Sequence, residues 1–189
     1  MGHSRSPLDR ALVELAALRD EVDREARALA ARHAGRLQCR RGCHACCLDG
    51  LTVSRIEAER IRRAHGALLD HAAPHPVGGC AFLDDAGGCR IYADRPLVCR
   101  TQGLPLRVVF ENEAEELEER RDVCPLNRPG GPPLEALPEA DLWLVGRFEL
   151  QLTSIDEAAG GSDAERVPLR ALFRSGGGTG GGTGGRGGR

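Results

Sequence analysis

Residues 39–47 read Cys39-Arg40-Arg41-Gly42-Cys43-His44-Ala45-Cys46-Cys47, four cysteines within nine positions. A lone buried cysteine behaves as a small apolar residue, but packing gives no reason to crowd four of them into one short segment. Metal chemistry does. A thiolate binds zinc at about 2.3 Å, and two cysteines separated by two residues reach one ion from a single tight turn. Gly42, just before Cys43, lets such a turn close. Iron–sulfur clusters use the same local spacing, so the motif points to a metal without choosing between zinc and iron. Cys46 and Cys47 are adjacent, and consecutive side chains point to opposite faces of an extended strand and diverge in a helix. Each is therefore expected to serve a different metal, or a different iron of one cluster. His44 lies between better ligands and is expected to face solvent.

Four further cysteines follow at Cys80, Cys89, Cys99 and Cys124, giving eight in all. Eight sulfurs suffice for two four-sulfur sites, or for one site with spare thiols. Arg40, Arg41, Arg90, Arg95 and Arg100 each stand within four residues of a cysteine. They could offset thiolate charge and donate hydrogen bonds to sulfur. A disulfide framework is the competing structural reading, at a cysteine density well below that of disulfide scaffolds. A cysteine nucleophile partnered by His44, His71 or His75 is the competing catalytic one, and nothing in the sequence singles out a cysteine for it.

Composition removes several classes outright. The basic residues are all arginine, and with no lysine there can be no Schiff base, no Walker A phosphate loop and no Ser-Lys pair. The net charge of -2 gives no electrostatic case for DNA or an anionic membrane. No segment approaches the roughly 18 apolar residues of a membrane span. The N-terminal apolar stretch is broken by Glu14, Arg19, Asp20 and Glu21, so no signal peptide is read there. A cytoplasmic location is expected, where thiols stay reduced and clustered cysteines serve metal or redox chemistry.

Outward from the motif, Leu8, Leu12, Leu15, Leu18, Val22, Ala26, Leu29 and His33 recur every three or four residues. They predict an amphipathic helix from about 7 to 34, ended by Gly35. Ser54 and Glu57 form a capping box that opens a second helix to about Leu69. The stretch from Cys80 to Tyr92 suggests two short strands around a glycine turn, and Leu97–Arg100 a single helical turn. Leu106–Phe110 is β-prone, and Glu111–Arg121, with six glutamates, reads as solvated helix or loop. Pro138 suits the first turn of a last helix carrying Leu142, Val145, Phe148 and Leu152. From Gly160 the composition is linker-like, and beyond Ser175 it predicts a disordered Gly-rich tail. Two arginines among those glycines, with no aromatic beside them, make no case for RNA.

The ordered run C-x3-C-x2-C-C, S-R-I-E-A-E-R-I, C-A-F-L-D, C-R-I-Y-x2-R-P-x2-C-R-T-x-G and C-P-L-N resembles the YkgJ-type cysteine-cluster family of zinc- or iron-chelating domains. The likeness runs from Cys39 to Asn127. It implies metal chelation by Cys39, Cys43, Cys46 and Cys47, with Cys80, Cys89, Cys99 and Cys124 as matching ligands. Tyr92, Arg95, Pro96 and Arg100 fall on the family's signature. Flagellin lysine methylases share a similar cluster, in which an iron–sulfur centre serves methyl transfer. The only dense glycine run here is the tail, so that activity is not carried over.

The expected fold is mostly α with a small β-hairpin, a cysteine-rich, metal-centred domain with a long N-terminal helix. Its parts are an amphipathic helix (1–36), a cysteine-cluster domain (37–155), and a linker with the Gly-rich tail (156–189). Aromatics are only 3% of the chain, so folding is expected to lean on the metal. Structural zinc contributes about 10–16 kcal/mol in small peptides, against about 5–15 kcal/mol for the whole stability of a typical domain. The expected function is binding of zinc or iron, mononuclear or as an iron–sulfur cluster. The alternative is an iron–sulfur-dependent enzyme or redox component.

Overall fold

Helix α1 spans Pro7–Arg32. The Ser6 hydroxyl caps it by accepting from the Asp9 N–H at 3.1 Å, and Pro7 occupies its first turn. Ala11, Leu15, Leu18, Val22, Ala26 and Leu29 form its buried stripe. The computed structural model describes residues 6–40, 42–162 and 165–174. Arg41 and the Gly-rich tail from Ser175 lie outside the described residues.

Helix α2 (Arg55–His71) opens on the expected capping box: the Ser54 hydroxyl accepts from the Glu57 N–H while the Glu57 carboxylate accepts from the Ser54 N–H. Two cores meet at this helix. Ile56 belongs to the first, with the α1 stripe, Leu97, Leu104, and Trp143 stacked on Phe148 at 5.2 Å between ring centroids. Ala58, Ile61 and Leu69 belong to the second, with Val53, Phe82, Ile91 and Phe173. The N-terminal helix is thus one wall of a shared core.

Leu97–Arg100 is the expected helical turn, α3, and strand β2 covers Leu106–Glu111. Four sequence expectations are corrected. First, Leu117–Asp122 is strand β3, antiparallel to β2, although Glu111–Arg121 reads as helix or loop. Its charges are satisfied across the sheet, with Arg107 bonded to Glu119 at 2.6 Å and Arg120 over the Phe110 ring. Cross-strand pairing overrides local propensity here. Second, Pro138 does not start the last helix. Trp143–Leu144 forms strand β4, parallel to β2, and α4 covers Arg147–Ala158. Gly146 makes that switch at φ 110, a backbone that L side chains avoid, and its N–H is taken by the Glu149 carboxylate at 2.8 Å. Third, the two strands expected between Cys80 and Tyr92 shrink to one bridge, Leu83 with Cys89, because the Asp84 carboxylate collects the N–H groups of Ala86 and Gly88.

The fourth correction concerns the segment read as linker. Val167–Pro168 forms strand β5, antiparallel to β1 (Thr52–Val53), and Leu169, Leu172 and Phe173 are buried. Phe173 meets Phe82 at 5.0 Å between centroids. With these strands, the fold is mixed α/β around a long N-terminal helix, and its hairpin is β2–β3 rather than the 80–92 segment.

Candidate metal centre

The cysteines hang on loops and on helix α3, which the two cores hold together. Cys39–Cys47 follows α1, and the Cys43 and Cys47 N–H groups close turns onto the Arg40 and His44 carbonyls, each at 2.9 Å. The Cys80 N–H donates to the Cys47 carbonyl, also at 2.9 Å, so the motif is laced directly to the next cysteine segment. Cys80 is part of the second core, with Cys47 and Cys89 packed against it. The bridge from Leu83 to Cys89 brings the third segment back beside Cys80. Cys99 arrives on α3, whose first N–H, from Leu97, is held by the buried Glu57 carboxylate at 2.8 Å.

Electrostatics show which sulfurs face one another. Burial first, then the Cys80 and Cys89 sulfurs, the Glu57 carboxylate and Cys46, push the Cys99 thiol up to about 12. Burial likewise raises Cys80, and it raises Cys89 with Cys80 adding to the effect. The Cys47 thiol is raised by its hydrogen bond to Cys46 and by burial, and it also senses Cys80 and Cys99. Cys46 receives that hydrogen bond and is held at about 6, with the His44 ring helping. Cys46, Cys47, Cys80, Cys89 and Cys99 therefore lie within electrostatic reach of one another, with Cys80 buried and Cys46 exposed. The chain turns at Ala45–Cys46, and the Cys47 thiol donates to the Cys46 sulfur.

Cys43 and His44 line a cavity of about 570 Å³ with Gln38, Arg40, Gly42, Ala45 and Leu126. One His44 ring nitrogen, Nδ1, lies 2.9 Å from the Gly42 carbonyl, and the residue is exposed, as expected. The carbonyl of Cys124 accepts from the Asn127 N–H in the short turn Pro125–Asn127, and the Asn127 side chain reaches the Cys39 sulfur. All eight thiols are free, so no disulfide framework is present.

Among the described residues, no three of His, Cys, Asp or Glu converge tightly enough to grip one ion. The donor chemistry nonetheless fits a soft metal: several free sulfurs lie within electrostatic reach of one another, and burial raises the pKa of Cys80, Cys89 and Cys99. A metal replaces those protons and compensates the thiolate charge that burial disfavours.

The arginines do less at sulfur than their spacing predicts. Arg90 donates to the Ala73 and Ala81 carbonyls, Arg95 lies over the Tyr92 ring, and Arg100 pairs with Asp23 and bonds the Arg95 and Ala93 carbonyls. Arg40 leans on the Gln38 carbonyl. Arg90 and Arg95 act on the sulfurs only through space, at Cys80 and Cys89. Arg41 lies outside the described residues.

Four contributors are not apparent as site residues from the sequence. Arg170, in the segment read as linker, bonds Asp49 and the His75 and Gly79 carbonyls, fixing the loop before Cys80. Asp94 gathers Arg19, Arg60 and His65, which pins the turn between Cys89 and Cys99 to α1 and α2. Glu57 stands in the sequence only as a helix cap. Asn127 ends the C-P-L-N run, whose conspicuous residue is the cysteine.

Residues 38–125 match the CxxCxxCC family, described as a "Putative zinc- or iron-chelating domain". This is the family that the cysteine spacing resembles. No curated protein and no solved structure matches the chain. No described helix is long and apolar enough to cross a membrane.

Proposed function

We propose that this protein binds zinc or iron through its clustered thiolates, with Cys47, Cys80, Cys89 and Cys99 as the inner ligand set and Cys46 at its mouth. A chelating family spans the same residues, and one observation carries the assignment: the Cys80 N–H bond to the Cys47 carbonyl, the Leu83–Cys89 bridge and helix α3 bring Cys47, Cys80, Cys89 and Cys99 from distant stretches of chain within electrostatic reach of one another. Ordinary packing does not collect thiols in this way. Cys39, Cys43 and Cys124 complete the donor set from the more open side.

The metal ties the loops together, and its binding energy adds to that of two aromatic-poor cores. Binding releases the thiol protons, so affinity rises with pH. Arg90, Arg95 and Arg170 offset part of the thiolate charge through space.

The deciding experiment is elemental analysis of protein purified without oxygen or chelator, followed by the same analysis on C47S, C80S and C99S. Stoichiometric zinc in a colourless sample assigns a mononuclear thiolate site. A brown sample with iron and sulfide assigns an iron–sulfur cluster and opens the enzyme or redox reading. Folded protein that takes up no metal refutes the proposal.

A further inference from the structure

We infer that Asn127 is the positioning residue of Cys39: its side-chain amide donates to the Cys39 sulfur and holds it as a pre-aimed ligand. The inference rests on the metal-binding reading and extends it to a residue beyond the cysteines.

Asn127 has no solvent exposure. A buried primary amide has four hydrogen-bonding sites to satisfy, and this one makes three bonds to two chain segments. Its Oδ1 accepts from the Gln38 N–H at 2.8 Å, next to Cys39 in sequence. Its Nδ2 donates to the Gly103 carbonyl at 2.8 Å and to the Cys39 Sγ at 3.5 Å. The partners fix which way the amide points, since a backbone N–H can only donate and a carbonyl can only accept. The Nδ2 must therefore face Gly103 and the sulfur.

Gly103 supplies the other wall. It sits at φ +93, and a Cβ there would lie 2.4 Å from the Cys39 Sγ and 3.2 Å from the Asn127 Nδ2. Any other residue would push the sulfur out of this cradle. The turn carrying Asn127 is held in place by Arg36, itself buried, which donates to the carbonyls of Asn127, Arg128 and Pro132. Cys39 as a residue remains exposed, so one side of the sulfur is gripped while the residue stays open to solvent.

An N–H donor on a thiolate takes up part of its charge and is stronger than a neutral hydrogen bond. Such groups behind a ligand orient it, and their loss typically costs about 10–100-fold in metal affinity. Asn127 and Gly103 together give Cys39 one rotamer and one donor, which none of the other sulfurs receives from a side-chain amide among the described residues.

The test uses the full chain with zinc alone as probe, comparing wild type with C39S, an exposed position whose change leaves the cradle intact. In nitrogen–proton NMR spectra of metal-free protein, the Asn127 side-chain amide protons should differ between the two. On zinc addition they should shift in wild type and stay unmoved in C39S. With cadmium-113 in place of zinc, a coupling from the metal to an Asn127 amide proton through the sulfur is expected. N127D, which keeps the acceptor and removes the donor, should lose zinc to a chelator about tenfold faster. If N127D does not fold, the comparison with C39S decides alone. Asn127 signals identical in wild type and C39S, with and without zinc, overturn the inference. If the amide contact is seen in the metal-free state and no cysteine takes up metal, the metal reading fails and the contact stands.

Discussion

The backbone N–H of Cys80 donates to the carbonyl of Cys47 at 2.9 Å. This bond joins the cysteine motif to the second core, since Cys80 is only 8% exposed and packs among Ala81, Phe82 and Leu83. Substituting Cys47, Cys80 or Cys99 should therefore abolish tight metal binding, while C124S should weaken it less. Elemental analysis of the four variants, with circular dichroism to confirm folding, checks the ranking. Equal loss in all four would show that no inner set exists.

The Cys46 thiol is held at about 6 by the hydrogen bond from Cys47. In metal-free protein at pH 7 it should be mostly thiolate and the first cysteine alkylated. Its rate should fall about tenfold per unit once the pH drops below that value. C47A removes the donor and should move the midpoint upward, toward the ordinary thiol value. Residue-resolved mass spectrometry after brief alkylation, over a pH series, measures both effects.

Asp94 is desolvated, which opposes its charge, yet the hydrogen bonds from Arg60, Arg19 and His65 outweigh that and hold it at about 2, below its ordinary 3.8. A depressed carboxylate pKa adds stability that is complete above 3.8 and disappears as the pH falls toward 2. The shift corresponds to about 2 kcal/mol. D94N should cost on the order of that amount in denaturant unfolding at pH 7, and much less near pH 2. A cost that does not shrink with acid would assign the residue's contribution to packing.

Phe173 lies in the segment whose composition reads as linker, yet it is only 6% exposed and touches both the Phe82 ring and the Arg90 guanidinium. F173A should destabilise the protein by about 3–5 kcal/mol. Thermal or denaturant unfolding measures it. A neutral result would show that the chain after Gly160 contributes nothing to the core.

Removal of metal should lower the melting temperature sharply, because ligand binding to the folded state alone adds to stability. Differential scanning calorimetry with and without a thiol-compatible chelator reads the difference, and re-addition of the metal should restore it.

The helix stripe from Leu15 to Leu29, the Ser54–Glu57 box and the eight cysteines are legible in the sequence because each is local. Helical periodicity and capping act over three or four residues, and a thiol declares its chemistry by itself. Strand β3 is not legible, because its glutamates and arginines are at home in a sheet only once β2 lies beside them. The last helix is misplaced for the same reason: Trp143 is claimed by the Pro105 carbonyl at 2.8 Å, a partner far away in sequence. Which sulfurs come near one another depends on how these loops and α3 are docked. So does the pairing of Asn127 with Cys39. Residue type alone sets what these groups can do; long-range contacts set which of them meet, and no short window of sequence contains a long-range contact.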